Sequence, residues 1–107
     1  MKTVWKFNLP VHDRSRIEMP KGAQVLHVDC QEPATIQLWA LVDSDAEYIE
    51  RFFRVAGTGH SLSDRIDDQK FVGTVVDKWA GLVWHIWYDS GKNESITYIS
   101  LRRRSNS

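Results

Sequence analysis

The residues of this chain best suited to chemistry lie in Gly57-Thr58-Gly59-His60, where a strand-like run from Tyr48 to Ala56 gives way to a polar loop. Two glycines in three residues let the backbone take positive φ and come close to another molecule. Successive N–H groups at such glycines can form a nest for an anion, and the Thr58 hydroxyl adds a further polar group. His60 closes the motif with the one side chain that ordinarily titrates near neutral pH. One reading is a ligand loop in which Gly57, Thr58, Gly59 and His60 hold a phosphate, a ribose or a peptide carbonyl. The other is a strand-ending turn whose histidine bonds the backbone, since glycine-rich turns are common in all-β chains. No Gly-Lys-Ser/Thr follows and no helical pattern succeeds the loop, so neither a Walker loop nor a Rossmann fingerprint is present.

A second constellation is Val83-Trp84-His85-Ile86-Trp87. On a strand, Val83, His85 and Trp87 face one side while Trp84, Ile86 and Tyr88 face the other. His85 beside Trp87 could line an aromatic pocket for a base or another planar ligand; a buried strand with a hydrogen-bonded histidine explains the same residues. The candidate ligand-binding set is therefore Gly57, Thr58, Gly59, His60, His85 and Trp87. Metal ligation is not expected, because His27, His60, His85 and Cys30 match no ligand spacing such as C-x-x-C or H-E-x-x-H. Hydrolysis has no support either: there is no G-x-S-x-G elbow, and Cys30 sits among apolar neighbours that suit an inert thiol. Asp64, Asp67 and Asp68 cluster near His60 but read as solvated loop carboxylates. No catalytic residue, metal or cofactor is expected.

The elements that must position these residues are strands. Thr3 to Leu9 places Trp5, Phe7 and Leu9 on one face. Arg16 to Met19 alternates briefly, and Pro20-Lys21-Gly22 predicts a tight turn with proline at its first central position. Ala23 to Cys30 puts Leu26, Val28 and Cys30 together, opposite Val25, His27 and Asp29. After a turn at Gln31 to Ala34, Thr35 to Val42 is nearly continuous in apolar residues, as a strand buried on both faces would be. Asp43 to Ala46 could cap a helical turn. Tyr48 to Ala56 alternates Ile49, Phe53 and Val55 against Phe52 and several charges. Lys70 to Lys78 and Gly81 to Tyr88 form the clearest hairpin, and Ser95 to Leu101 reads as a last edge strand. Short strands at intervals of roughly ten residues predict an all-β fold, a single small sandwich or partly open barrel of about six to eight antiparallel strands.

Composition narrows the partners. A chain of 107 residues holds one core. Five tryptophans supply large apolar area, so a core forms without crosslinks, and the single Cys30 cannot make an internal disulfide. Lys+Arg and Asp+Glu balance at 14 each, without the basic excess of a nucleic-acid binder; only Arg102-Arg103-Arg104 departs from that balance. No apolar run is long enough to cross a bilayer, and Met1 to Pro10 alternates where a signal peptide would be continuously apolar. The expected location is the cytoplasm.

In order along the chain stand Met1-Lys2-Thr3-Val4-Trp5-Lys6-Phe7, Met19-Pro20-Lys21-Gly22-Ala23, Leu38-Trp39-Ala40-Leu41-Val42-Asp43, Phe53-Arg54-Val55-Ala56-Gly57-Thr58-Gly59-His60, Phe71-Val72-Gly73-Thr74 and Val83-Trp84-His85. Together these resemble an uncharacterised family of short bacteriophage and bacterial proteins. The resemblance covers residues 1–88, taken as the β domain; residues 89–107 depart from it as an extension with the edge strand and a frayed basic tail. It implies a genomic setting and no activity. The expectation is a non-catalytic phage accessory protein, acting as a homo-oligomer, that sequesters a small nucleotide-like or anionic ligand. The alternative is a protein-interaction module that inhibits a host factor or joins a phage assembly.

Overall fold

In the computed structural model, which describes residues 1–89, the period-two segments become seven antiparallel strands. These are β1 (Lys2–Leu9), β2 (Arg14–Pro20), β3 (Gln24–Glu32), β4 (Thr35–Asp43), β5 (Tyr48–Gly57), β6 (Lys70–Asp77) and β7 (Leu82–Asp89). They form a three-stranded sheet of order β1-β4-β3 and a four-stranded sheet of order β2-β5-β7-β6. The two sheets pack as a sandwich, because each strand has one apolar stripe to bury. The only helical element among the described residues is a 3-10 helix, Asp64–Asp68, started by Ser63, whose Oγ accepts from the Arg65 N–H. Among the described residues no helix is long and apolar enough to cross a membrane. The expected edge strand, Ser95 to Leu101, and the arginine tail lie outside the described residues.

The core fills the space between the sheets. β4 contributes Ile36, Leu38, Ala40 and Val42; Phe53 and Val55 come from β5, and Val75 and Ile86 from β6 and β7. Trp5, Phe7, Trp84 and Tyr88 pack at its margins. Burial raises the pKa of the Cys30 thiol, and the Asp77 and Asp29 charges push it the same way. That environment keeps the thiol protonated and unreactive.

Several local expectations are corrected. β4 is the centre of its sheet, yet Trp39 and Leu41 on its outward face are only half-buried. A two-layer sandwich has one packed interface, so neighbouring side chains alone cover the outward residues. On β3, Leu26 does not join Val28 and Cys30: the register shifts between Val25 and His27, and Leu26 is half-exposed while Val25 packs on the core. One extra residue in a strand reverses the alternation beyond it. In the turn after β2, Pro20 is the first corner, and Lys21 and Gly22 hold the central positions. The Ala23 N–H donates to the Pro20 carbonyl at 3.1 Å, and Gly22 takes φ 84°, the left-handed value such a position requires. Asp43 to Ala46 is also a β-turn and not a helical cap: the Ala46 N–H donates to the Asp43 carbonyl at 3.0 Å, and the Asp45 N–H to Asp43 Oδ1 at 3.1 Å.

Candidate functional site

The edges of the two sheets meet along β3 and β6, and this seam is closed at one end and open at the other. At the closed end the strands touch: a Cβ built on Gly73 would lie 2.7 Å from Val28 Cγ2, which leaves room for glycine alone. There the Ala34 N–H, in the turn between β3 and β4, donates to Asp77 Oδ2 at 2.9 Å. Asp77 is 1% exposed, and its other oxygen accepts from the Trp79 and Ala80 N–H groups, each at 3.1 Å. One buried carboxylate thus ties the β3–β4 turn to the β6–β7 turn.

At the other end the strands part and leave a cleft of about 310 Å3, lined by Ala23, Val25, Arg51, Lys70, Phe71 and Tyr88 among others. Both strands carry a register shift at the point of divergence, between Val25 and His27 on β3 and between Phe71 and Gly73 on β6. A bulge bends its strand away from its partner direction, and bulges are frequent beside binding sites. Among the described residues the charged ones on the wall, Arg51 and Lys70, are both cations. Arg51 lies on the inward stripe of β5 with Ile49, Phe53 and Val55, and only 7% of it is exposed. Its Nη1 donates to the Ala23 carbonyl, and its guanidinium sits 4.8 Å from the centroid of the Tyr88 ring. Lys70 is exposed at the mouth beside Phe71, whose ring stands edge-on to Trp87 at 5.5 Å. The cleft can therefore hold a planar group against aromatic surface and an anion against two cations.

The residues singled out from the sequence lie elsewhere, and they do not share one pocket. Register pairs Ala56, His85 and Thr74 across β5, β7 and β6, so His85 points to the outer face of the four-stranded sheet. Thr58, two residues after Ala56, joins it there: its Oγ1 is 2.8 Å from His85 Nε2. The other imidazole nitrogen, Nδ1, is 3.0 Å from Thr74 Oγ1. Trp87 lies on the same face with its ring centroid 6.4 Å from that of His85. His60 is on the opposite side, folded back over Gly57 and edge-on to Trp84 at 6.3 Å.

Three of the loop's four backbone N–H groups donate within the protein itself. The Gly57 N–H donates to His60 Nδ1 at 3.2 Å, the Thr58 N–H to the Val83 carbonyl at 3.4 Å, and the His60 N–H to the Gly57 carbonyl at 3.1 Å. Gly59 takes φ 87° to close the turn. The loop is thus a turn closed on itself, and its N–H groups do not converge as an open anion nest in this conformation. A Cβ on Gly57 would sit 2.9 Å from the His60 ring, the far end of a side chain that can swing aside.

Arg51 was missed in the sequence although its signal is there. An arginine in the Ile49, Phe53, Val55 stripe puts a charge on the inward face, where burial needs a reason. Among the described residues no group of three His, Cys, Asp or Glu side chains stands close enough to hold a metal.

A family model described as a domain of unknown function, DUF7352, matches residues 1–97. The chain belongs to that family. No curated protein and no solved structure matches it. As the motifs implied, DUF7352 is a family of unknown function, so what this DUF7352 chain does must be argued from its own geometry.

Proposed function

We propose that the protein is a non-catalytic binding protein that sequesters a small anionic, nucleotide-like ligand in the cleft at the open end of the seam. The observation that carries this reading is Arg51, a cation turned toward the interior of a sandwich and braced by the Ala23 carbonyl and the Tyr88 ring. Lys70 adds a second positive group at the mouth, and Tyr88 supplies aromatic surface. A volume of about 310 Å3 is at the small end of ligand sites, which suits a mononucleotide-sized molecule. The ligand chemistry is the one the sequence suggested; the site moves from the Gly57 loop to the seam. We read the setting as that of a phage or bacterial accessory protein in the cytoplasm, on the strength of the motif resemblance. A protein of that kind acts by stoichiometry and needs no nucleophile.

The test is a panel of nucleoside mono- and diphosphates, scored by thermal unfolding and by tryptophan fluorescence. Free ligand at about 100 times Kd stabilises by about 2.7 kcal/mol, a shift well above experimental scatter. Lys70→Glu, at an exposed position, is expected to abolish the shift and leave the ligand-free melting temperature unchanged. Arg51→Met is expected to abolish it as well. Silence of the wild-type protein across the panel would end this reading.

A second reading, a protein-interaction module working as a homo-oligomer, is favoured by the β6–β7 hairpin. Phe71, Val76, Trp79 and Leu82 are all about half-exposed on it, and exposed apolar side chains gathered on one element can serve as contacts for a partner. Sedimentation of the wild type against Val76→Lys distinguishes the two: an assembly lost in the variant supports the module, and a monomer in both excludes self-association through this hairpin.

A further inference from the structure

Thr58, His85 and Thr74 lie outside the cleft, on the outer face of the four-stranded sheet, and form a hydrogen-bonded chain. We propose that Thr58 is an acyl-accepting hydroxyl, activated by His85 and oriented through Thr74, that reacts with activated esters. The arrangement stands independently of ligand binding in the seam.

The geometry is that of a nucleophile, a base and a group that holds the base. Thr58 Oγ1 lies 2.8 Å from His85 Nε2, and Thr74 Oγ1 lies 3.0 Å from His85 Nδ1. With the ring proton on Nδ1, donated to Thr74, Nε2 is left to accept from the Thr58 O–H; this is the tautomer general-base activation needs. Strand register fixes the position of residue 85 between Ala56 and Thr74, and the two threonine contacts hold its ring. Thr58 is exposed, so its hydroxyl is open to an incoming carbonyl.

In the proposed step, Oγ1 of Thr58 bonds to the carbonyl carbon of an aryl ester while its proton passes to Nε2 of His85. The tetrahedral adduct then collapses, the bond from carbon to the aryl oxygen breaks, and the departing aryloxide takes the proton back from Nε2. The products are a threonyl ester at position 58 and a phenol, and no other reactant is consumed. A threonine hydroxyl orients the imidazole but does not stabilise an imidazolium as a carboxylate does. The site is therefore suited to single acylation by a good acyl donor and not to rapid turnover.

The experiment incubates the full chain with p-nitrophenyl acetate and maps the acetyl groups by peptide mass spectrometry. Acetylation of the lysines serves as the internal reference. The expected result is acetyl on Thr58, lost in Thr58→Ala and kept on the serine hydroxyl in Thr58→Ser. His85→Gln, which preserves hydrogen bonding but is not a base, is expected to slow labelling at Thr58 by about 100-fold or more. Thr74→Val should slow it by a smaller factor. Lysine labelling and the melting temperature should stay as in the wild type in each variant, which separates reactivity from folding. No acetyl at Thr58 in the wild type, or an unchanged rate there in His85→Gln, overturns the proposal.

Discussion

Asp77 closes the seam, and its removal should be the most damaging polar substitution among the described residues. Its carboxylate is 1% exposed and accepts three backbone N–H groups: Ala34 on Oδ2 at 2.9 Å, and Trp79 and Ala80 on Oδ1 at 3.1 Å each. Hydrogen bonds to a charged group contribute about 1.5–3 kcal/mol each. Trp79 and Ala80 belong to an exposed turn where water can replace part of the loss, so Asp77→Ala is expected to cost about 3–5 kcal/mol. A domain of this size has roughly 5–15 kcal/mol in all. Asp77→Asn is the sharper probe. Its single carbonyl oxygen can keep the Trp79 and Ala80 bonds, but its NH2 then faces the Ala34 N–H, donor against donor. The expected cost is one bond, about 1.5–3 kcal/mol, or a fall in melting temperature of roughly 10 °C. Urea unfolding gives the free energies, and amide exchange gives the location: Ala34 should exchange faster in both variants, Trp79 and Ala80 in Asp77→Ala alone. If Asp77→Ala unfolds within about 0.5 kcal/mol of the wild type, the carboxylate is not the clasp of the seam.

Three other outcomes are expected. Gly73→Ala drives a Cβ to within 2.7 Å of Val28 Cγ2 and should cost about 1–3 kcal/mol as an overpacked contact; Val28→Ala in the same chain should recover part of it, read as coupling in a double-mutant cycle. Gly57→Ala meets only the far end of the flexible His60 side chain, so stability should change by less than about 1 kcal/mol while the His60 ring resonances shift in NMR spectra. The Cys30 pKa is raised in the folded state by burial from its ordinary value of 9.0. Its contribution to stability is therefore full below about pH 9 and is lost as pH rises toward the folded value; Cys30→Ala should lack that alkaline decline, and native Cys30 should resist alkylation until the chain unfolds.

Strand content was legible because the alternation is strong and local. Trp5, Phe7 and Leu9 read correctly as one face of β1, and the hairpin expected over residues 70–88 is the β6–β7 pair. What escaped the sequence was non-local. The bulge at Leu26 reverses the face of a leucine that looks like a core residue, and nothing in the types of its neighbours announces the extra residue. The separation of His60 from His85 is also a matter of register. Both lie near the end of β5, but pairing Ala56 with His85 and Gly57 with Trp84 leaves His85 on the outer face, while His60 folds over Gly57 beside Trp84 on the other. The cleft is harder still, since it is made by two strands that never pair with each other. Only Arg51 betrayed it, as a charge in an otherwise apolar stripe.

The two bulges and Arg51 are best understood together. A sandwich edge can be sealed by apolar contact, and between Val28 and Gly73 this one is. Had β3 and β6 run on straight, Val25 and Phe71 would have met in the same way and the inward position at residue 51 would have called for leucine or valine. Instead each strand carries an extra residue near the same level, the edges turn apart, and the space between them is occupied on one side by a guanidinium. A buried cation stabilises a fold poorly compared with an apolar side chain of similar length. If Arg51 served packing alone, Arg51→Met would be neutral or stabilising and nothing else would change. If it serves the cleft, the same substitution leaves a folded protein that no longer takes an anion. Stability retained with binding lost is the signature that separates a residue kept for a ligand from one kept for the core.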